Sequence, residues 1–150
     1  MKKLLLVFTA TILIAKASFG QIHKPVKWTV ASKKVNNKEA VVFLKANIQN
    51  GWHIYALNLK KGGPIPTSVA FKKSPDFTLI GKTLEPVPKI KYEKVFKMDV
   101  GYFINEVIFQ QRVQLYNKKD SNVKGIVKWQ SCDATQCLPE EEYAFSIPIK

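Results

Sequence analysis

The chain has 150 residues, 46% of them hydrophobic, a formal net charge of +13 and two cysteines, Cys132 and Cys137. A strongly basic balance can serve nucleic acid or an anionic membrane. Here the lysines come as pairs, Lys33-Lys34, Lys60-Lys61, Lys72-Lys73 and Lys118-Lys119, at positions expected to be loops. With no long basic block, a solvated surface and no nucleic-acid partner are the reading.

Residues 1–20 have the order of a secretory leader. Lys2 and Lys3 precede an apolar run from Leu4 to Ile14, broken only by Thr9 and Thr11, and Ser18-Phe19-Gly20 offers small residues around a cleavage point. The run is shorter than the roughly 20 apolar residues that span a bilayer. The mature protein is therefore expected to start near Gln21, in the periplasm or outside the cell. The leader holds Lys2, Lys3 and Lys16 and no acid, leaving +10 of the +13 on the rest. Residues 21–150 are expected to form a single domain, long enough to bury a core without many disulfides.

Past the leader the dominant period is two. Val42, Leu44, Ala46 and Ile48 alternate with Phe43, Lys45, Asn47 and Gln49, as a half-buried strand requires. Asn50-Gly51 predicts a tight hairpin, with Trp52 to Ala56 as the return strand and His53 and Tyr55 on one face. Thr67 to Phe71 and Phe77 to Ile80 read as short strands. Pro86 and Pro88 interrupt any ladder, so Glu85 to Asp99 reads as a long loop, of a length that is often functional. Strand pattern resumes from Tyr102 to Leu115, with Val107, Phe109, Val113 and Leu115 sharing a face. Val123, Val127 and Trp129 mark the next strand, and Tyr143, Phe145, Ile147 and Ile149 the last. Seven to nine short strands without an amphipathic helix predict an all-β, antiparallel sandwich.

The chemistry concentrates at Gln130-Ser131-Cys132-Asp133-Ala134-Thr135-Gln136-Cys137-Leu138-Pro139. A four-residue turn can bring the two Cα atoms within the usual disulfide range of about 4.4–6.8 Å, and an exported protein is expected to oxidise such a pair. As a staple, a loop of about six residues gains only about 2 kcal/mol, against about 4.7 for a hundred. That leans towards function, while spacing alone leaves the staple open. Zinc or copper could use Cys132, Cys137 and His53, but only His23 remains as a fourth ligand, so no metal is expected. Hydrolase, zincin and phosphate-loop motifs are missing. Asp133 and Glu140 to Glu142 flank the pair and disfavour a thiolate, so neither thiol is expected to be strongly acidic alone.

Trp129-Gln130-Ser131-Cys132, then Cys137-Leu138-Pro139-Glu140 and a terminal alternating strand, resembles the N-terminal periplasmic domain of the thiol:disulfide interchange protein DsbD. Asn50-Gly51-Trp52-His53-Ile54-Tyr55 and Pro64-Ile65-Pro66-Thr67 are similar to that family's glycine-aromatic-x-x-Tyr strand and the loop after it. The likeness covers most of residues 25–149. It implies an immunoglobulin-like sandwich that exchanges disulfides as a protein-disulfide reductase or interchange component, without an organic cofactor. By the same likeness Cys137 makes the mixed disulfides and Cys132 resolves them. His53 and Tyr55 match aromatic positions beside the pair, and Phe96 matches the tip of a cap over it. The implied partners are thioredoxin-fold exported proteins and a membrane-embedded or thioredoxin-like electron donor. The four-residue spacer is one shorter than in some members. The transmembrane conduit and thioredoxin domain of full-length relatives do not occur in these 150 residues, so the partners are expected to be separate proteins. The rival reading is a non-catalytic sandwich that binds another protein and carries a structural disulfide.

Overall fold

A computed structural model describes residues 23–116 and 121–149. The expected leader and Lys118-Lys119 lie outside the described residues. Within them the chain forms eleven strands and no helix: β1 (Val26–Asn36), β2 (Glu39–Ile48), β3 (His53–Tyr55), β4 (Ser68–Phe71), β5 (Phe77–Leu84), β6 (Lys89–Glu93), β7 (Met98–Phe103), β8 (Glu106–Leu115), β9 (Ser121–Trp129), β10 (Ser131–Cys132) and β11 (Glu141–Ile149).

Three antiparallel sheets result, with strand orders β1-β2-β8-β5, β10-β3-β7-β6 and β11-β9-β4. The first sheet is one layer of the sandwich. Alternation puts Val42, Leu44, Ala46 and Ile48 of β2 and Val107, Phe109, Val113 and Leu115 of β8 on its buried face, as the sequence predicts. The other two sheets supply the opposite layer, with Val123, Val127, Trp129, Phe145, Ile147 and Ile149 from β9 and β11, and Ile54 and Phe103 from β3 and β7. Trp28 of β1 ties the layers, its ring 5.3 Å from Trp129 and 6.0 Å from Phe109. This is the immunoglobulin-like arrangement.

One polar residue, Gln111, sits on the buried face of β8. Its amide donates to the Ile80 carbonyl at 3.1 Å and accepts from the Thr83 hydroxyl at 2.9 Å. The register of β5 on β8 shifts between Ile80 and Leu84, and Gly81 there takes φ +69. The irregularity thus exposes backbone oxygens that a buried amide can satisfy.

Four expectations are corrected. Asn50-Gly51 does not close a hairpin: β2 is already flanked by β1 and β8, so β3 pairs instead with β7 and β10. Only Gly51 has positive φ, +84, and the Trp52 N–H donates to the Gln49 carbonyl at 3.0 Å. That is the pattern of a type II turn, and it carries the chain across to the opposite layer. Glu85 to Asp99 is not a loop throughout, because β6 and β7 form a hairpin with Lys94 to Lys97 at its tip. The run from Tyr102 to Leu115 is broken at Asn105, whose φ of 63 turns the chain from β7 in one layer into β8 in the other. Lys33-Lys34 lies within β1, where the lysines are exposed, rather than in a loop. These breaks and additions raise the strand number above the seven to nine expected.

Candidate functional site

The two cysteines lie on a miniature hairpin at the end of β9. Cys132 and Cys137 face each other as an isolated antiparallel bridge and form a disulfide, with Cα atoms 4.0 Å apart. That is closer than the expected 4.4–6.8 Å. The hydrogen bonds explain the approach: Leu138 N–H donates to the Ser131 carbonyl at 2.8 Å and Asp133 N–H to the Gln136 carbonyl at 2.9 Å. Bonds on either side make the cysteines a non-hydrogen-bonded pair, the closer of the two antiparallel spacings.

Side chains fix this hairpin on the sandwich. Trp129 Nε1–H donates to the Ser131 hydroxyl at 3.1 Å, and the Gln130 amide to the Leu138 carbonyl at 3.1 Å. Asp133 organises the turn: its Oδ1 accepts from Thr135 N–H at 2.7 Å, Gln136 N–H at 2.8 Å and the Thr135 hydroxyl at 2.9 Å. The same bonds, those from backbone N–H groups first, hold the Asp133 carboxyl below the usual carboxylate range. The glutamates expected to flank the pair are partly engaged elsewhere. Glu140 and Glu142 approach Lys128 at 4.0 and 3.6 Å, and burial raises the pKa of Glu141.

The two cysteines differ in exposure. Cys132 is 1% exposed, within a small cluster with Tyr55 and Val100, whereas Cys137 is an exposed residue.

Behind Cys132 lies the outer face of the β10-β3-β7-β6 sheet. His53 is the cross-strand partner of Cys132, and Tyr102 that of Tyr55. The His53 ring stands edge-on to Tyr55 at 5.2 Å and to Tyr102 at 5.5 Å. Lys91 of β6 reaches the same place. Its Nζ lies 3.4 Å from His53 Nε2, 2.7 Å from Glu93 Oε1 and 5.2 Å from the centre of the Tyr102 ring. Burial, then the Lys91 charge, push the His53 pKa down from 6.5 to about 4, against the weaker pull of Glu93 and Asp133. Burial, and then Glu93, raise that of Tyr55.

The structure thus brings together Cys132, Cys137, His53 and Tyr55. Phe96 stands at the tip of the β6–β7 hairpin, its N–H donating to the Glu93 carbonyl at 3.2 Å and the residue 37% exposed. Lys91, midway along the β6 arm of the hairpin, reaches the aromatic floor. Sequence reasoning missed Lys91 and Glu93, because the prolines at 86 and 88 hid a strand. The signal was present in Lys89-Ile90-Lys91-Tyr92-Glu93, which alternates polar and apolar with period two.

Fold and site define a class: an immunoglobulin-like sandwich bearing one disulfide between a buried and an exposed cysteine. The family model described as thiol:disulfide interchange protein DsbD, N-terminal, matches residues 23–148, and the chain belongs to that family. Among solved structures, the N-terminal periplasmic domain of ScsB from Proteus mirabilis is similar at 15% identity and TM-score 0.59. That match covers 83% of this chain and 46% of the other, so the chain spans about half of the ScsB structure. The reduced DsbD N-terminal domain of Neisseria meningitidis is similar at 15% identity and TM-score 0.50, covering 79% and 82% of the two chains. A structure of the complex between the DsbD and PilB N-terminal domains of the same organism is similar at 14% identity and TM-score 0.55, covering 84% and 87%. No curated protein sequence matches the chain.

Proposed function

We propose that this protein is a periplasmic or secreted thiol–disulfide exchange domain, relaying electrons through Cys132 and Cys137 to or from thioredoxin-fold partners. The observation that carries the reading is the asymmetry of the pair, with Cys132 1% exposed and Cys137 open to solvent. Exchange needs an incoming thiolate to reach one sulfur in line with the S–S bond while the other leaves. An exposed Cys137 suits attack and a buried Cys132 suits resolution. Family membership supports the chemistry. The solved complex of a similar domain with the PilB N-terminal domain supports docking of a second redox protein. A separate membrane-embedded or thioredoxin-like protein would donate or accept the electrons. His53 and Tyr55 would form the floor of the docking site, and Phe96 the tip of a hairpin that covers it.

Non-reducing gels of two single variants test the roles. Mixed with an oxidised thioredoxin-fold partner, Cys132→Ala should accumulate a mixed disulfide through Cys137, and Cys137→Ala should trap little or none. Equal trapping by both would sink the assignment of roles. Trapping by neither, for any such partner, would favour a structural disulfide.

A further inference from the structure

His53 is a buried imidazole that the scheme above uses only as part of a docking floor, with no chemical step of its own. An ammonium group has only donors. At 3.4 Å from Lys91 Nζ, His53 Nε2 must therefore be the acceptor, so the ring is neutral and carries its proton on Nδ1. Lys91 is itself held, by Glu93 at 2.7 Å and over the Tyr102 ring at 5.2 Å. Tyr55 and Tyr102 confine the imidazole edge-on. In the strand order β10-β3-β7-β6, Lys91 approaches from the β6 side and Cys132 is the neighbour on the opposite side. The two ring nitrogens diverge widely, and cross-strand Cβ atoms lie about 4.5–5.5 Å apart.

From this geometry we infer that Lys91 fixes His53 as a neutral Nδ1–H donor for the Cys132 sulfur, so that the buried half of the disulfide leaves and returns as a hydrogen-bonded thiolate. The inference rests on the exchange reading and adds two residues to it. In the forward step a partner thiolate attacks Cys137 Sγ, forming the mixed disulfide. The S–S electron pair departs onto Cys132 Sγ, and the His53 N–H donates to that thiolate without giving up its proton. In the reverse step the same thiolate attacks Cys137 Sγ and expels the partner's sulfur with the electron pair. In this scheme His53, the cross-strand neighbour of Cys132, is the group that meets the reacting sulfur once it becomes a thiolate, and Lys91 acts through His53 as a positioning residue. Burial alone would raise the Cys132 thiol pKa and slow its departure; a fixed donor opposes that.

The charged and titratable groups facing His53 are Lys91 and Glu93 from β6, Tyr102 from β7, Tyr55 from β3, Cys132 from β10 and Asp133 from the turn that follows. Lys91 is the cation among them, and at 3.4 Å it opposes a second positive charge on the ring. Without Lys91 the imidazole loses the cation that opposes its protonation, so its pKa rises, while burial, the larger cause, still holds it below the usual histidine value.

The test needs no partner protein, so its failure is distinct from failure of the exchange reading. In the full chain carrying Cys137→Ala, ultraviolet absorbance of the thiolate against pH reads Cys132 alone, and nitrogen NMR reads the state of His53. His53 should be neutral with its proton on Nδ1 from about pH 5.5 to 8. His53→Phe keeps an aromatic ring and should raise the Cys132 pKa enough to cut its neutral-pH thiolate fraction about tenfold. Lys91→Met should move the His53 titration to higher pH than in the protein with Lys91, with burial still holding it below the usual histidine value, and add a matching second step to the Cys132 titration. Lys91→Arg should restore the single step. A proton found on Nε2, or a Cys132 titration unmoved in both variants, would overturn the inference. Should His53→Phe fail to fold, the NMR state and the Lys91 variants still decide it, because Lys91 is a half-exposed residue at the sheet edge.

Discussion

His53 couples the stability of the domain to pH as well as standing beside the disulfide. Its folded pKa of about 4 lies below the 6.5 of the unfolded chain. Between those values the unfolded state binds a proton that the folded state refuses, so stability must fall as pH falls. Above 6.5 neither state is charged there and the full stability is present. The gap corresponds to ~3 kcal/mol, and solvent reaching the open side of the site reduces this to ~2 kcal/mol. Urea unfolding at pH 7.5, 5.5 and 4 should show this loss, and His53→Phe should lack that share of it. A slope unchanged by His53→Phe would assign the acid sensitivity to other groups. At this scale the sequence was partly legible. Alternation placed His53 and Tyr55 on one face, and the spacing of Cys132 and Cys137 allowed their bond. Lys91 was not legible, since its role depends on β6 lying two strands away from β3 in the sheet, a long-range fact that no local pattern encodes.

Elements show where local pattern suffices and where it does not. Strands β2, β8, β9 and β11 alternate cleanly because one face of each meets the core, and their buried residues could be read directly. The turns were harder. Asn50-Gly51 carries the local signal of a hairpin, but β1 and β8 already occupy both edges of β2, so tertiary pairing overrides it. Asn105 ends β7 by entering the left-handed region, which asparagine tolerates better than most residues. Within β9, Gly125 has a different necessity. A Cβ there would meet the Ala70 carbonyl of β4 and come within 2.5 Å of the Phe145 ring of β11. Both neighbours are strands of the same sheet, and the carbonyl is backbone, so neither can step aside cheaply. Gly125→Ala should destabilise the domain by ~3 kcal/mol, with overpacking as the cause. Chemical denaturation would measure it, and a loss below about 1 kcal/mol would mean that β4 gives way more readily than its pairing with β9 suggests.

Across the whole molecule, the disulfide and the core are separate sources of stability. The main core runs through both layers around Trp28, Phe109 and Trp129, while Cys132 belongs to the small cluster with Tyr55 and Val100 on the outer face of one sheet. A relay must pass between oxidised and reduced forms without unfolding, and this division permits it. The bond closes a loop of about six residues, so it constrains the unfolded chain by only about 2 kcal/mol. Phe109, 0% exposed at the centre of the sandwich, should cost ~4 kcal/mol on replacement by Ala. The prediction is therefore an order of effects. Reducing the unsubstituted protein should lower its unfolding free energy by about 2 kcal/mol, leave near-ultraviolet circular dichroism largely intact and keep a cooperative transition. Phe109→Ala should lose roughly twice as much with the disulfide intact. Denaturant titrations of the oxidised, reduced and Phe109→Ala proteins at one pH make the comparison. If reduction instead unfolded the domain, the Cys132–Cys137 bond would be its staple, and a cycle through the dithiol form could not be its working reaction.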